Sequence, residues 1–370
     1  MNEQKQGRLT RIVIKGFKSI KNCELELNDI NVLIGSNGAG KSNFISIFEM
    51  LQKVLAGELI FYTEKKGINP LLYSGKETTD SILAEFHFGT DLYSFELEWT
   101  ENDNLFFREE RVYIAGQNIL LDGGYRESKA LTTIRKASDY MDIPQIMIEP
   151  QWRIYQFRDT GLTSRMKSEH NISNCNALMW DASNLAAFLY RLREHYPAEY
   201  HKIIRAIQRV APFFKDFELK PKEGNNEQIV LRWIQNGYDG ILIPSQLSDG
   251  TLRFVCLATL LLQPTELQPA TIIIDEPELG LHPYAITILA ELVKKVATKK
   301  QIVLATQSVE LLDHFEAEDV IVVDRGENGS EFKRLDMDRL AIWLEDDYTL
   351  GELWNKNIFG GRISTGTYLK

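Results

Sequence analysis

A glycine-rich stretch near the N-terminus contains a lysine followed by a serine. Residues 35 to 43 read GSNGAGKSN and fit the pattern Gly-x-x-x-x-Gly-Lys-Ser. The glycines Gly35, Gly38 and Gly40 let backbone N–H groups approach a phosphate closely, and a helix that begins directly afterwards adds a partial positive charge. A plain strand-to-helix turn is the alternative. The apolar run before the stretch and the helical spacing after it favour a phosphate-binding loop.

The lysine and the serine would complete a nucleotide site. The Lys41 ammonium would pair with β- and γ-phosphate oxygens, and the Ser42 hydroxyl would be a ligand of Mg²⁺. The sequence therefore predicts that ATP and Mg²⁺ bind here. The predicted nucleotide-binding set also includes Ser36, Asn37, Ala39 and Asn43.

Two adjacent acidic residues follow an apolar run in the stretch TIIIDEPELGLHP, residues 271 to 283. The run predicts a buried strand, so Asp275 would stand at its carboxyl end, where ligands bind in open parallel sheets. There Asp275 can hold Mg²⁺, and Glu276, on the other side of the strand, can accept a proton from an attacking water. A solvated strand end is the alternative, which the phosphate-binding loop disfavours.

Two further stretches resemble motifs of a known family. In LSDGTLRF, residues 247 to 254, Ser248, Asp249 and Gly250 resemble the signature motif of ABC-type ATPases in its RecF/SMC-like form. IVLATQS, residues 302 to 308, stands where this fold usually has a switch histidine, and this chain has Gln307 instead. A glutamine can donate a hydrogen bond to a γ-phosphate but cannot take up charge. Gln307 thus joins Lys41 and Glu276 as a predicted catalytic residue, without a histidine-linked proton role.

The same resemblance implies two more residues near the nucleotide. IKGFKSI, residues 14 to 20, resembles the first strand and turn of RecF/SMC-like heads, where a basic residue lies near the nucleotide. Lys18 is the candidate, and a solvated lysine in a hairpin is the alternative. WRIYQFRDTG, residues 152 to 161, has the position expected of the Q-loop, with Gln156 as the metal-side glutamine.

Hydropathy patterns predict the elements that position the first of these residues. Residues 11 to 34 alternate and then become continuously apolar, which indicates two antiparallel strands and a buried strand entering the loop. Apolar residues at intervals of three and four up to Gly57 predict a helix after Lys41. Alternating runs over residues 81 to 115 indicate a small antiparallel β subdomain. Residues 116 to 145 are polar and predict loops or a poorly ordered insertion.

The second half of the chain changes its pattern. Two helical patterns separated by Pro197 predict a helical hairpin. The stretches FKDFELKP and EQIVLRWI indicate a strand pair around the turn EGNN. From LSDGT to VIVVD the order helix, strand, helix, strand, strand implies a parallel sheet covered by helices. Because no heptad repeat extends over several turns, no coiled-coil arm is expected.

Composition limits the classes of protein to consider. The 370 residues are 44% hydrophobic and 25% charged, which is typical of a soluble globular chain. The sequence has no long uncharged apolar run and no secretion signal, so a cytoplasmic location without membrane partners is expected. The formal charge of −10 argues against a broad cationic surface for nucleic acid. The three cysteines are far apart and predict reduced thiols rather than a zinc site or disulfides.

The ordered motifs from residue 14 to residue 308 together resemble a compact ATPase head of the RecF-like, OLD-related group of bacterial ATPases. The resemblance implies an α/β ABC-type head with a mixed or parallel sheet, an antiparallel β subdomain and a helical subdomain. A single head over residues 1–370 is expected. Its parts would be a phosphate-loop and β lobe (1–160), a helical lobe with the signature motif (161–250), a core with the acidic pair and switch region (251–325) and a C-terminal tail (326–370).

In heads of this kind the signature loop faces the nucleotide of a second subunit. The resemblance therefore implies a homodimer, or a higher homo-oligomer, with two ATP molecules sandwiched between the chains. Ser248 and Gly250 of one chain would meet the γ-phosphate held by Lys41 of the other. Hydrolysis removes the γ-phosphate and weakens this contact, so the closed dimer would act as a timed switch.

What the switch controls is open to three hypotheses, of which the first is a separate effector. The chain after residue 308 is shorter than the roughly 100 residues of a usual additional domain, and it has no nuclease motif. OLD-like ATPases fuse or pair with nucleases, so the resemblance implies a two-component bacterial defence system against phage with a separate nuclease chain. Trp343, Trp354 and Phe359 are candidates for docking it, and capping the core is the alternative.

The second hypothesis is a RecF-like DNA-repair ATPase that clamps duplex DNA. The candidate DNA contacts are Arg191, Arg193, Lys202, Arg205, Arg209, Lys294, Lys295, Lys299 and Lys300. A solvated helix face is the alternative for the four lysines near residue 297. The third hypothesis, a transporter ATPase subunit, is weakened by the LSDGT motif and by Gln307.

Overall fold

The computed structural model describes residues 8–114, 116–121, 123–133, 152–222, 224–336, 340 and 348–361. The chain divides into two compact units, one made of Met1–Trp152 with Val303–Lys370 and the other of Arg153–Ile302. The helices are α1 (Lys41–Leu55), α2 (Leu59–Lys66), α3 (Leu185–His195), α4 (Pro197–Val210), α5 (Asp249–Leu262), α6 (Pro283–Ala297), α7 (Val309–Leu312) and α8 (Leu350–Asn355).

The strands are β1 (Arg11–Phe17), β2 (Ile20–Glu26), β3 (Ile30–Ile34), β4 (Ser81–Phe88), β5 (Asp91–Trp99), β6 (Leu105–Ile114), β7 (Gln117–Leu121), β8 (Trp152–Tyr155), β9 (His170–Asn171), β10 (Phe214–Phe217), β11 (Pro221–Lys222), β12 (Asn225–Ile229), β13 (Trp233–Gln235), β14 (Ile241–Leu242), β15 (Thr271–Asp275), β16 (Gln301–Thr306), β17 (Val320–Gly326) and β18 (Gly329–Arg334).

The first unit contains an antiparallel sheet in the order β2-β1-β4-β5-β6-β7. Along β4 the residues alternate between buried and half-buried, as the alternating sequence predicts. The predicted β subdomain is therefore confirmed. The prediction of loops from residue 116 is wrong at its start, because β7 pairs with β6 from Ile114↔Gln117 to Glu110↔Leu121. Residues 134 to 145 lie outside the described ranges.

A second sheet of this unit brings the phosphate-binding loop to the end of a buried strand. Its strands here run in the order β18-β17-β3-β16. β17 pairs in parallel with β3 and antiparallel with β18, so the sheet is mixed. The last four residues of β3 are buried, which explains their continuous apolar character. The two strands and the buried strand predicted over residues 11 to 34 are confirmed.

Helix α1 begins at Lys41 and packs one face into the core of the first unit. The rings of Phe44 and Phe48 pack against each other with their centroids 5.8 Å apart. The ring of Phe44 also packs against that of Phe332 of β18, with a centroid distance of 5.3 Å. Both α1 phenylalanines are 1% exposed or less. Burial of each such side chain contributes about 1.5–3 kcal/mol, so the helix start is held in place by its apolar face.

The second unit contains the predicted helical hairpin, with a shorter connection than the sequence suggested. Only Tyr196 lies between α3 and α4, and Pro197 opens α4 rather than separating the two helices. A proline fits the first helical turn because the N–H that it lacks has no intrahelical acceptor there. The inner face of α4 includes Tyr200, Ile203 and Ile207, which are all buried.

The predicted strand pair of the second unit forms two short ladders. β10 pairs with β13, and β11 pairs with β12, both antiparallel and both with an irregular register. β12 begins at Asn225, inside the stretch EGNN that was predicted as a turn, and Glu223 lies outside the described residues. The succession α5, β15, α6, β16 and β17 also matches the predicted order, while the short helix α7 was not predicted.

The C-terminal segment of the described chain packs against the first unit. Gly351 of α8 donates its N–H to the Asp313 carboxylate at 2.6 Å, just after α7. Trp354 is 7% exposed, which favours the core-capping alternative for this residue. Phe359 is half-buried. Trp343 lies outside the described residues.

The three cysteines are free and differ in burial. Cys23 and Cys256 are buried, and burial raises the pKa of both thiols, that of Cys23 to about 12. Cys175 is half-buried and lines a cavity of about 790 Å³ in the second unit, beside Tyr190 and Arg191. Among the helices of the described ranges, none is both long and apolar enough to cross a bilayer.

Candidate nucleotide site

The phosphate-binding loop leads into a helix start that is suited to an anion. Gly40 is the N-cap of α1 and has no side chain to cap it, and the first turn has no acidic residue. The first N–H groups of a helix have no intrahelical acceptors, and the helix dipole adds partial positive charge at this end. Gly38 and Gly40 have φ values of 78° and 124°, which side-chain-bearing residues rarely adopt. The loop therefore presents its backbone in a form typical of phosphate binding.

The side chain of Lys41 folds back over this loop. Its ammonium donates hydrogen bonds to the carbonyl oxygens of Gly35 at 2.5 Å and of Ser36 at 3.1 Å. Lys41 is 6% exposed, whereas the next residue, Ser42, is exposed. The loop therefore contains a buried positive charge next to an accessible hydroxyl.

A cluster of polar side chains holds the phosphate-binding loop through hydrogen bonds. Ser330 of β18 donates to the Ala39 carbonyl at 2.5 Å, and the Ser19 hydroxyl lies 2.7 Å from the Ser330 hydroxyl. The amide of Asn43 donates to Ser19 at 2.7 Å. A Cβ on Gly40 would lie 2.1 Å from the Ser330 hydroxyl oxygen, so only glycine fits at this position.

The start of the loop contacts the C-terminal segment. The Ser36 N–H donates to the carbonyl of Gly361 at 2.8 Å, and Gly361 in turn donates to Asp324 at 3.2 Å. A Cβ on Gly35 would meet the Val323 carbonyl oxygen at 2.3 Å. The loop is thus packed between β17 and the segment around Gly361.

Lys18 borders an open cavity beside the loop. The cavity has a volume of about 610 Å³ and is lined by Lys18, Ser19, Asn43, Tyr73 and Arg325, among others. Lys18 adopts a left-handed φ of 49°. Burial lowers the pKa of its ammonium, and nearby Glu49 partly opposes this effect. The side chain is therefore a half-buried cation rather than a fully solvated lysine.

The predicted metal carboxylate lies in the second unit, at the end of the wholly buried strand β15. The Asp275 side chain is 2% exposed, and its Oδ2 accepts a hydrogen bond from the Gln156 amide at 3.1 Å. The two predicted metal ligands of this unit are therefore in contact. Glu276 follows with a φ of 51°, a conformation that costs a side-chain-bearing residue about 1–3 kcal/mol. Strained residues of this kind cluster at functional sites.

An arginine that the sequence analysis did not single out joins the acidic pair. Arg158 donates from Nη2 to Asp275 Oδ2 at 2.6 Å and lies 3.3 Å from Glu276 Oε2. One feature of the sequence could have indicated Arg158. In an extended chain, the side chains of residues 156 and 158 point to the same side, so Arg158 would lie on the side of the predicted ligand Gln156.

A second unpredicted arginine connects the signature helix to this cluster. Arg253, on α5, donates to the carbonyl oxygens of Phe157 at 3.1 Å, Arg158 at 2.9 Å and Leu279 at 2.9 Å. A Cβ on Gly250 would lie 2.3 Å from the Gly280 carbonyl oxygen. Arg253 and Gly250 therefore hold the start of α5 close to the segment that follows the acidic pair.

The signature residues form the exposed N-terminus of α5. Ser248 is the N-cap and accepts a hydrogen bond from the Thr251 N–H at 3.1 Å. Asp249 is exposed and lies 3.8 Å from the Lys167 ammonium. An exposed, capped helix N-terminus can receive an anion from outside the chain.

Gln307 follows β16 in the first unit. It is half-buried and precedes Ser308, whose hydroxyl caps α7 by accepting from the Leu311 N–H at 3.0 Å. β16 and β3 are neighbours in their sheet. The residue thus belongs to a short, well-capped turn rather than to a long loop.

The donor atoms of the predicted magnesium ligands fit this ion. Ser42 supplies a hydroxyl, Asp275 a carboxylate and Gln156 an amide, and Mg²⁺ prefers such oxygen ligands. Asp275 already has a positive group against it in the Arg158 guanidinium, so its surroundings accept a cation.

Comparison with known proteins assigns the chain to a family. The family model described as "AAA domain, putative AbiEii toxin, Type IV TA system" matches residues 30–313. No curated protein matches the chain.

Two solved structures share the fold at low identity. One is an SmcHead bound to the C-winged helix domain of ScpA, with 14% identity and a TM-score of 0.58 over 90% of this chain and 99% of that chain. The other is an Smc head with an extended coiled coil, bound to the C-terminal domain of ScpA derived from Pyrococcus furiosus, with 12% identity and a TM-score of 0.58 over 92% and 99%. The expected fold of an ABC-type head of the RecF/SMC kind is thereby confirmed, and the chain belongs to the AAA domain family of the AbiEii type.

Proposed function

We propose that this chain is an ATP-hydrolysing switch subunit that closes into a homodimer around ATP and controls a separately encoded effector. The observation that carries the proposal is the uncapped start of α1, where the buried Lys41 ammonium lies against the loop carbonyls. An anion can satisfy the N–H groups of such a start, and nucleotide phosphates supply one. Membership in an AAA domain family supports the same ligand.

The chemistry assigns one task to each side chain. Lys41 would exchange its carbonyl contacts for β- and γ-phosphate oxygens. Ser42, Asp275 and Gln156 would hold Mg²⁺, which when bound neutralises phosphate charge. Glu276 would accept the proton of the attacking water, and Gln307 would donate a hydrogen bond to the γ-phosphate. Lys18 and the cavity beside it would receive the nucleoside side of the ligand.

The position of the signature residues on their own helix supports the proposed dimer. Ser248 and Asp249 are exposed at the N-terminus of α5, where a phosphate presented by a second chain can be bound. The exposed apolar side chain of Leu279 lies close by, since its carbonyl is bound by Arg253. We therefore propose that each chain completes the nucleotide site of its partner, within a single head that extends over residues 1–370.

A complementation experiment tests this arrangement. Lys41→Ala removes the phosphate lysine, and Ser248→Arg blocks the signature surface; each variant alone should hydrolyse no ATP. In a mixed dimer the two changes fall on one site and leave the other intact. Mixing equal amounts should restore about a quarter of the wild-type rate, because random pairing makes half of the dimers mixed. A mixture that stays inactive while both variants remain folded would refute the shared site.

The effector is proposed to be a nuclease chain of a bacterial defence system. The family description names a putative toxin of a Type IV TA system, which supports a role in a system of paired components, and in the two similar structures the Smc heads are bound to domains of ScpA. Purification of this chain together with the product of the adjacent gene, with and without ATP, tests the proposal. Failure of the two chains to associate in either state would count against it.

The alternative of a DNA clamp receives less support from the helical hairpin. Most of the candidate cations there are engaged within the chain: Arg191 donates to Cys175 and Asn176, Arg193 to Leu219, Lys202 to Glu199, and Arg209 to Glu291. Arg205, Lys294, Lys295 and Lys299 are exposed. DNA affinity that depends on both ATP and salt would favour the clamp.

A further inference from the structure

The contact between Arg158 and the acidic pair places a positive charge where a metal ion is expected. The Arg158 guanidinium is 2.6 Å from Asp275 Oδ2 and 3.3 Å from Glu276 Oε2. The Asp275 side chain is 2% exposed, whereas the Arg158 side chain is 43% exposed. A buried carboxylate is costly without a counter-charge, and Arg158 supplies one.

The backbone of Arg158 is fixed although its side chain is accessible. Arg253 binds the carbonyl of Arg158 at 2.9 Å and that of Phe157 at 3.1 Å. The guanidinium lies at the end of a long side chain whose surface is partly in solvent. It can therefore leave Asp275 by side-chain rotation alone, without a change in the fold around it.

The hydrogen-bond donors on Asp275 compete with a metal for the same oxygen. Oδ2 accepts from both Arg158 at 2.6 Å and Gln156 at 3.1 Å. A metal ion at Oδ2 needs the lone pairs that these donors use, and two cations in contact with one carboxylate repel each other. Metal binding at Oδ2 therefore requires Arg158 to move and the Gln156 amide to turn its oxygen toward the ion.

We propose that Arg158 is a resident counter-cation, which occupies the cation position on Asp275 in the nucleotide-free chain and yields it when metal arrives together with nucleotide. Phosphate oxygens then give the displaced guanidinium a new, charge-assisted partner. A metal ion alone offers no such partner, so the exchange couples metal binding to nucleotide binding. The inference rests on the proposed ATP site, since Asp275 must be its metal carboxylate.

A titration with Mn²⁺ tests the proposal. Binding is measured as the decrease in the electron paramagnetic resonance signal of unbound Mn²⁺. The wild-type chain should bind Mn²⁺ weakly without nucleotide and strongly with a non-hydrolysable ATP analogue. Arg158→Gln should bind Mn²⁺ alone at least tenfold more tightly than wild type. The ratio of the Mn²⁺ affinities with and without the analogue should fall by a similar factor, because this coupling is what Arg158 provides. Arg158→Lys, which keeps the charge, should give an intermediate ratio.

Three further variants assign the effect to this site. Adding Asp275→Asn to Arg158→Gln should abolish the gained affinity for Mn²⁺ alone. Arg11→Gln is the matched control, because the Arg11 side chain is 39% exposed and pairs with Glu24 at 2.6 Å. This variant should leave the Mn²⁺ affinities unchanged. Asp275→Asn with Arg158 retained should weaken Mn²⁺ binding in the presence of the analogue.

The outcomes separate the inference from the function on which it rests. If the wild-type chain binds the Mn²⁺ and analogue together in an Asp275-dependent manner, the proposed site stands. An unchanged Mn²⁺ affinity and coupling ratio in both Arg158 variants would then overturn the counter-cation role alone. If wild type and Asp275→Asn bind Mn²⁺ equally with the analogue, the proposed site itself fails.

Discussion

The Lys41 ammonium donates a hydrogen bond to the carbonyl oxygen of Gly35, at the opposite end of the same loop, at 2.5 Å. The lysine therefore holds the two ends of the loop together. A ligand must replace the carbonyl oxygens of Gly35 and Ser36 by its own oxygens. The exchange conserves hydrogen bonds and adds the attraction between opposite charges.

Replacement of Lys41 by alanine should abolish this exchange. Hydrogen bonds to charged groups contribute about 1.5–3 kcal/mol each, so the affinity for ATP should fall by at least roughly tenfold. Lys41→Arg should not restore it fully, because a planar guanidinium does not fit the position of a compact ammonium. Titration with a fluorescent ATP analogue measures the change. Wild-type affinity in Lys41→Ala would contradict the assigned role.

Replacement of Glu276 by glutamine should separate nucleotide binding from hydrolysis. General-base catalysis contributes roughly 10²–10⁴-fold, so turnover should fall by about that factor while ATP affinity is retained. The closed dimer should then accumulate with ATP, which light scattering detects. The variant should remain stable, because the partly exposed pair with Arg158 contributes about 0–1 kcal/mol. Unchanged turnover would remove Glu276 from the role of base.

Replacement of Gly40 by alanine should destabilise the phosphate loop much more than the same change at Gly38. Both glycines have positive φ, at 124° and 78°, so both substitutions carry a backbone cost of about 1–3 kcal/mol. Only at Gly40 would the new Cβ meet an atom, the Ser330 hydroxyl at 2.1 Å, whereas nothing lies within 4 Å at Gly38. Thermal melting compares the two variants. Equal melting temperatures would show that the contact between β18 and the loop is wrongly described.

Replacement of Lys18 by methionine should make the folded chain more stable at neutral pH and weaken nucleotide binding. Burial lowers the pKa of the Lys18 ammonium from 10.5, so the unfolded chain holds this proton more tightly than the folded chain. Wild-type stability should therefore gain from Lys18 as the pH rises from the lowered pKa toward 10.5. Lys18→Met should lose this pH dependence. Lys21→Met, at an exposed position of β2, is the matched control for denaturant unfolding at several pH values.

Much of the fold could be predicted from the sequence because local patterns were strong. The run Ile30–Ile34 and the spacing of Phe44, Phe48 and Leu51 reflect burial that adjacent residues share. The connection at Pro197 was misplaced, since a proline marks either the end of one helix or the start of the next. β7 was missed because its sequence QNILL does not alternate between polar and apolar residues, and at this edge position four of its five residues are exposed or half-buried.

The chemistry of the loop and of the acidic pair could be predicted, but their supports could not. Ser330 contacts Ala39 across 291 positions of sequence, and such a partner leaves no local signal. The contact between Ser36 and Gly361, which are also far apart in sequence, likewise leaves no local signal. Arg158 lies in the same sequence stretch as Gln156. Its ion pair with Asp275, however, joins residues far apart in sequence and could be identified only from the folded structure.

The unequal burial of the three thiols allows a probe to be attached at one defined position. Cys23 and Cys256 are buried with raised pKa values, so maleimide reagents near neutral pH should react at Cys175 alone. A single fluorophore or spin label can thus be attached to the unaltered sequence, without a cysteine-free background. Because Cys175 lies in the unit that contains the signature helix, distances between the labels of two copies would report directly on how the protomers approach each other when nucleotide is added.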